Sequence, residues 1–323
     1  MEKKIEVGII GAGAISSTVH LPLLSCFPNM SLSYIADIID PKEIADVYKI
    51  KSVKIDDVSS LPHCDLVVLA TPVGVRETYV QEFSKRNVPI FAEKPFAINL
   101  DTHKKFLELS NKITCNYVKL YYNSTRQVKE IISSDVFGDL KKVSVTEGGI
   151  IGKTNRGKDT YQADLNLSGG GIIMEASCHT LSQLASIFND ISVNESKVIR
   201  ENGYDVEANV VFDIHEKTSF SIDYKISVIK PIKTNTTLFF DHCIVSYNHA
   251  TPNSELIITS YDGNKKFHLA KETRYAETAN QAYYLKWKSF IDKISSGIPI
   301  DTKSETSIKT TELITDIYRK GNA

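Results

Sequence analysis

Cysteine is scarce in this chain: five among 323 residues, at positions 26, 64, 115, 178 and 243. Their number is odd, their spacing is wide and no C-x-x-C occurs, which speaks against a disulfide framework and against a zinc cluster. A charge excess of either sign is missing, with 38 basic and 39 acidic residues. A general binder of nucleic acid or of anionic membranes is therefore disfavoured. Long apolar runs are missing too, since no stretch approaches the ~18 residues that span a bilayer. The opening residues turn from basic to apolar, but Glu6 interrupts the apolar stretch and no small-residue cleavage site follows. They read as a strand, and the protein is expected in the cytoplasm. His20, His63, His103, His215, His242, His249 and His268 show no ligand spacing with carboxylates or cysteines, so no metal is expected. Repeats and low-complexity segments are absent. What remains is ordinary globular composition, 42% hydrophobic and 24% charged, in a length that suits about two domains.

The first 120 residues alternate strands with helices. Ile5–Ile10 is a short apolar strand, residues 14–26 suit a helix, and Leu32–Ala36 is a second strand ending at Asp37. Asp65–Ala70 and Val88–Ala92 are continuous apolar runs, as in strands buried on both faces of a parallel sheet. A helix lies between them at 75–86. Asp101 is placed to cap the next helix, and Ile113–Leu120 is expected to close the sheet. This pattern predicts an α/β fold with an N-terminal doubly wound parallel sheet over residues 1–121. The rest, 122–323, changes character. After a helix at 124–134, strand-like stretches follow at 140–151, 205–214, 217–227, 236–240, 242–248 and 254–260, with helices at 172–188, 276–296 and 304–319. Consecutive strands predict a second α/β domain with a large, mostly antiparallel open sheet. One face is expected under its helices, and the other, read as apolar, against a second subunit.

Gly11-Ala12-Gly13-Ala14-Ile15-Ser16 follows the first strand and opens the first helix. Gly11 permits a tight turn, Gly13 lets backbone approach a pyrophosphate, and the small Ser16 allows close helix–strand packing. Ala14 and Ile15 begin the helix whose N-terminus would receive the phosphates. Asp37 ends the second strand about 20 residues on, where a carboxylate accepts ribose hydroxyls and repels a 2′-phosphate. NAD is thus favoured over NADP as the cofactor, with Asp37 as an ordinary strand-end residue the bland alternative.

Lys94, between Glu93 and Pro95, follows a buried strand at the carboxyl edge of a parallel sheet, where open α/β sheets bind ligands. Taken alone, Lys94 reads as a solvated loop lysine, with proton transfer or substrate orientation, supported by Glu93, as the alternative. Glu175 and His179 are four apart and share one helix face. Gly169-Gly170-Gly171 just before them is costly unless backbone must bend or approach something closely. A histidine beside a substrate hydroxyl can accept its proton as hydride leaves carbon. Cys178 reads as an apolar filler. Tyr117, Tyr121, Tyr122 and Tyr161 are packing residues or the lining of a sugar pocket.

In order along the chain stand the glycine loop, Asp37, Thr71-Pro72, Ala92-Glu93-Lys94-Pro95 and Ser168–His179 with its three glycines. Together these resemble the Gfo/Idh/MocA family of glucose–fructose oxidoreductase, inositol dehydrogenase and relatives. The resemblance implies hydride transfer between a nicotinamide and a carbon bearing a hydroxyl or keto group, on a sugar, cyclitol or nucleotide-linked sugar. It implies Lys94, His179 and Glu175 as catalytic residues. Thr71, Pro72, Glu93 and Lys94 join the glycine loop and Asp37 in the cofactor site. The Lys94–Pro95 bond is expected to be cis, and the substrate carbon to lie between Lys94 and His179. A homodimer or homotetramer through the open sheet is also implied. Three positions depart from the family pattern: Glu175 replaces an aspartate, Arg76 a histidine, and Asn123-Ser124 an Arg-Phe pair. The last two are expected to alter cofactor or substrate contacts. A glycoside hydrolase using bound NAD, and a non-catalytic sensor of NAD or sugar, are the alternative functions.

Overall fold

The computed structural model describes residues 4–149, 160–269, 275–297, 300 and 305–321. The chain divides into two units, Met1–Asn116 with Lys286–Ser304, and Tyr117–Leu285 with Glu305–Ala323.

In the first unit six strands form one parallel sheet: β1 (Ile5–Ile10), β2 (Met30–Asp37), β3 (Lys51–Lys54), β4 (Leu66–Leu69), β5 (Ile90–Ala92) and β6 (Ile113–Cys115). Their spatial order is β3-β2-β1-β4-β5-β6. The chain thus turns back between β1 and β4, the switch point at which open α/β sheets bind ligands. Helices α1 (Leu21–Ser25), α2 (Lys42–Tyr48), α3 (Arg76–Lys85) and α4 (Leu100–Leu109) connect the strands. All four residues of β4 are buried, as its unbroken apolar run requires.

Several local expectations change. Residues 14–25 are helical, but Ser16–His20 is a π-turn that runs into α1. The cap of α4 is Asn99, whose side chain accepts the Thr102 N–H at 2.9 Å, and not Asp101, which lies in the first turn. The last strand stops at Cys115, and Val118–Tyr121 is a 3₁₀ turn. Strand β3, Lys-Ser-Val-Lys, escapes the sequence reading because an edge strand this short and charged has no apolar run.

In the second unit eight strands form a sheet in the order β14-β13-β12-β11-β7-β10-β9-β8. They are β7 (Leu140–Gly148), β8 (Ile191–Glu201), β9 (Tyr204–His215), β10 (Ser219–Ser227), β11 (Asn235–Phe240), β12 (Ile244–Tyr247), β13 (Leu256–Thr259) and β14 (Lys266–Leu269). Every pairing is antiparallel except that of β7 with β10. Residues 150 and 151 of the first expected strand, and residue 304 of the last expected helix, lie outside the described residues. Strands β8 and β14 are polar edge strands that periodicity does not reveal, and two register shifts interrupt β8.

The helices of this part of the chain are α5 (Asn123–Ser133), α6 (Leu165–Ser168), α7 (Cys178–Ile187), α8 (Ala279–Ser295) and α9 (Glu305–Lys320). Val143, Val145, Phe212, Ile222, Leu238 and Val245 supply the buried face of the sheet. The opposite face carries Ser144, Thr146, Asn209, Asp223 and Lys225, all half-buried. The same face carries the half-buried Val211, Phe239, Ile244 and Ile257, so it mixes polar and apolar residues where the sequence reading expects an apolar face.

The second half of α8 belongs to the first unit. Trp287, Phe290 and Ile291 join Val7, Ile9 and Phe91 in its core. Trp287 stacks on Phe91 with ring centroids 3.9 Å apart and planes 9° from parallel. An uninterrupted second domain from residue 122 onward does not anticipate this return.

Candidate active site

Gly11 leaves β1 with φ +99°, and a Cβ there would collide with the carbonyl oxygen of Ala70 at the end of β4. Glycine is required by both conformation and space. A Cβ at Gly13 meets nothing within 4 Å, so the loop's outer edge is open to a ligand. Gly13 and Ala14 are exposed and Ile15 half-buried, whereas Ser16 is fully buried and donates to the Gly11 carbonyl at 2.6 Å. The small residue at 16 thus ties helix to strand, as its position in the motif predicts.

Asp37 stands beside this loop. One carboxylate oxygen accepts the Ala12 N–H at 2.6 Å and the other the Ile38 N–H at 2.7 Å. The next residues are Ile38, Ile39, Asp40 and Pro41, with no cation among them, and both isoleucines are exposed. Thr71, after β4, buries a hydroxyl that has no hydrogen-bond partner among the described residues, and Pro72 follows it. An open glycine edge, a strand-end carboxylate and an unpartnered buried hydroxyl fit a dinucleotide on this sheet edge.

The Glu93-Lys94-Pro95 turn follows β5, and the Lys94–Pro95 bond is cis, as expected from the resemblance. From Ile90 to Ala97 every residue except Lys94 is buried. Arg76, only 1% exposed, holds the turn. Its guanidinium donates to the carbonyls of Glu93 at 2.5 Å, Phe96 at 3.1 Å and Thr71 at 2.7 Å, and also to that of Pro95. Arg76 is therefore a clamp on the turn's backbone, not the altered cofactor or substrate contact read from the sequence.

Glu93 accepts from His20 Nε2 at 2.9 Å, from Asn116 Nδ2 at 2.7 Å and from the Lys94 backbone N–H at 3.2 Å. Burial pushes its carboxyl up. The His20 and Asn116 hydrogen bonds and the nearby Lys94 charge outweigh that and hold it below the ordinary glutamate value. A carboxyl depressed in the folded state stabilises fully above its unfolded value, about 4.3. That contribution is lost as pH falls through the folded value. Denaturation followed from about pH 5 down to about pH 3 should show wild type losing more stability than Glu93→Gln. Equal losses would count against a charged Glu93.

In the second unit, Glu175 lies in a π-turn, Ile173–Ser177, that precedes α7, and His179 lies in the first turn of α7. The expected single helix over 172–188 thus changes pitch between them. Glu175 is exposed, His179 half-buried and Cys178 fully buried, the last as a filler should be.

The close approach that the three glycines permit is to Asp205. A Cβ at Gly171 would collide with the Asp205 backbone. The Asp205 carboxylate, 1% exposed, accepts the N–H groups of Gly171 at 2.6 Å and Ile173 at 2.7 Å, and the Tyr318 hydroxyl at 2.9 Å. It satisfies donors at the start of the helical segment, where negative charge is favourable. Beneath α7, Glu147 accepts from Thr180 at 2.7 Å, and the Tyr224 hydroxyl lies 3.0 Å from Glu147 and 2.7 Å from Ser177. Burial and the Glu147 charge push the Tyr224 phenol well up, so it stays protonated. Neither Asp205 nor Glu147 stands out in sequence, because each acts on a helix distant along the chain. Asn123 and Ser124 are buried at the start of α5, and Asn123 donates to Asn253 at 2.7 Å. Tyr117 and Tyr122 are buried packing residues, Tyr121 is half-buried and Tyr161 exposed. Among the described residues no group of three or more His, Cys, Asp or Glu side chains could hold a metal ion. No helix among them is long and apolar enough to cross a membrane.

Residues 5–120 match the oxidoreductase family with an NAD-binding Rossmann fold, GFO_IDH_MocA. Over these residues the chain is similar to the Rossmann domain of that family. The uncharacterized Saccharomyces cerevisiae protein YMR315W is 27% identical over 113 residues, which span 33% of this chain and 32% of that protein. The match thus covers about a third of the length of that curated relative.

Solved oxidoreductases share the fold along nearly the whole chain. One is KijD10, a 3-ketoreductase from Actinomadura kijaniata in complex with NADP and TDP-benzene. Its TM-score is 0.82 at 16% identity, over 98% of each chain. A second, an oxidoreductase from Agrobacterium radiobacter with NAD⁺, L-tartaric acid and magnesium, gives 0.78 at 17% identity, over 99% of this chain and 97% of that one. A third, from Thermotoga maritima, gives 0.82 at 18% identity with the same coverage.

Proposed function

We propose that the protein is an NAD-dependent oxidoreductase that interconverts a hydroxyl and a keto carbon on a sugar, cyclitol or nucleotide-linked sugar. The observation that carries this reading is the construction around Lys94. A buried guanidinium and a buried carboxylate hold the turn on both sides of a single half-exposed lysine, at the ligand-binding edge of a Rossmann sheet. A lysine without a task needs no such frame. Gly11, Gly13, Ala14, Ile15, Ser16, Asp37, Thr71 and Pro72 would hold the dinucleotide, whose nicotinamide supplies a hydride acceptor or donor. Lys94 donates a hydrogen bond to the reacting substrate oxygen and stabilises charge developing there. His179 accepts the hydroxyl proton in oxidation and returns it in reduction. Glu175, exposed in the turn before His179, hydrogen-bonds a neighbouring substrate hydroxyl. The nucleotide-linked substrate class draws support from KijD10, which has been solved with TDP-benzene. A panel of free and nucleotide-linked sugars, followed at the NADH absorbance band, is the test. No turnover with any member, in either direction, would reject the reading.

Asp37 sets the cofactor. A 2′-phosphate would meet the carboxylates of Asp37 and Asp40, with no cation from 38 to 41 to receive it. Calorimetric titration should give tighter binding of NAD than of NADP, and Asp37→Ser should narrow the difference. Tighter NADP binding by the wild type would overturn the assignment.

The homodimer or homotetramer belongs to the same proposal. An open face that sets Ser144, Asp223 and Lys225 beside Val211 and Phe239 would pair partly through hydrogen bonds and ion pairs, so assembly should weaken with salt. Light scattering at low and high salt tests this, and a monomer at low salt rejects it.

A further inference from the structure

Glu93 is tied to residues far from it along the chain. His20, completely buried, ends the π-turn that begins at the glycine loop. Its Nε2 lies 2.9 Å from Glu93 Oε1, and its Nδ1 lies 3.2 Å from Nε1 of Trp287. An indole nitrogen can only donate. Nδ1 must therefore offer its lone pair to Trp287, so the ring proton sits on Nε2 and is donated to Glu93. The rings around it leave little freedom. Trp287 stacks on Phe91, and the imidazole meets each of those two rings edge-on with centroids 5.7 Å apart. Asn116 donates to the same Glu93 oxygen, and the other oxygen receives the Lys94 backbone N–H.

We infer that His20, held as its Nε2–H tautomer by Trp287, is a positioning residue for Lys94. It fixes the Glu93 carboxylate, and that carboxylate fixes the backbone from which the Lys94 amine extends. Because His20 lies on the helical segment opened by the glycine loop, one hydrogen bond registers the dinucleotide-binding loop with the lysine turn. The chain Trp287, His20, Glu93, Lys94 lies within the first unit. This inference rests on the proposed role of Lys94.

The test combines spectroscopy with kinetics on the full chain. Long-range ¹H–¹⁵N correlation of labelled histidine should show His20 protonated on Nε2 and unprotonated on Nδ1 at neutral pH. Trp287→Phe keeps an aromatic ring against Phe91 and removes the N–H with the rest of the pyrrole ring, so its His20 should show mixed tautomers. An Nδ1–H tautomer or an imidazolium in the wild type overturns the inference. In turnover, His20→Leu should lower kcat on the order of 10- to 100-fold with NAD affinity unchanged, a typical loss for a misplaced catalytic group. His20→Gln keeps an N–H able to reach Glu93 and should recover most of the loss. A purely structural role predicts that NAD affinity and kcat fall together and that glutamine rescues no better than leucine, either of which overturns the inference. If His20→Leu fails to fold, Trp287→Phe carries the kinetic arm, and an unchanged kcat there overturns it. Near wild-type turnover in Lys94→Met would sink the role of Lys94 and this inference together. Loss in Lys94→Met with none in His20→Leu would sink the positioning role alone.

Discussion

Lys94→Met and His179→Asn are each expected to lose roughly 10²–10⁴-fold in turnover, the usual contribution of a positioned acid–base or hydrogen-bonding group, while still binding NAD. Methionine keeps the length and apolar stem of lysine and removes its donors. Asparagine keeps a polar group at 179 but cannot take up a proton near neutral pH. On the proposed reading neither side chain is needed to hold the dinucleotide, which the glycine loop and Asp37 would bind from separate segments. The measurement is kcat beside calorimetric NAD affinity on a substrate found in the sugar panel. Near wild-type turnover in both variants would defeat the assignment and favour a non-catalytic sensor. Joint loss of NAD binding and turnover would instead make them supports of the cofactor site.

Arg76→Leu is expected to destabilise the protein by about 3 kcal/mol or more, because a hydrogen bond to a charged donor contributes about 1.5–3 kcal/mol and four carbonyls lose one. The leucine fills part of the volume but leaves the carbonyls of Thr71, Glu93, Pro95 and Phe96 without the guanidinium. A buried acceptor left unpaired costs about 1–3 kcal/mol. For a unit of this size the melting temperature should fall by roughly 10 °C. Arg76→Lys keeps the charge but cannot present a planar fork to several carbonyls, so it should fall between the two. Turnover should drop with Arg76→Leu even below its melting point, because the Lys94 backbone loses its clamp. A melting temperature within about 2 °C of wild type would show that the four carbonyls find other partners.

Arg76 and the three glycines act on groups that lie far from them along the chain. Arg76 is visible as an unexpected residue after Thr71-Pro72, and an arginine there reads as a ligand contact. Its partners are main-chain carbonyls of a turn that begins 17 residues later, and carbonyls leave no mark in sequence. Gly169-Gly170-Gly171 announces a close approach, yet nothing in the sequence names Asp205 as the group approached. Glu175 and His179 share a face by spacing alone, but the π-turn between Ile173 and Ser177 changes the pitch on which that spacing rests.

The sequence by itself determined what is local or periodic. Apolar runs specify buried parallel strands, the succession of strands without helices specifies an antiparallel sheet, and the glycine loop with Asp37 marks the edge proposed for the dinucleotide. Each depends on residues within a few positions of one another, or on a repeat that burial of one face imposes. The tertiary structure alone decided the frame of Lys94. His20, Arg76, Asn116 and Trp287 come from four separate segments and meet at one turn, because an ionised carboxylate and a guanidinium shielded from water must find hydrogen-bond partners wherever the fold brings them. It also returned the second half of α8 to the first unit, where Trp287 fills the core against Phe91. Amphipathic spacing shows that a helix has a face to bury, but only packing selects the core that receives it.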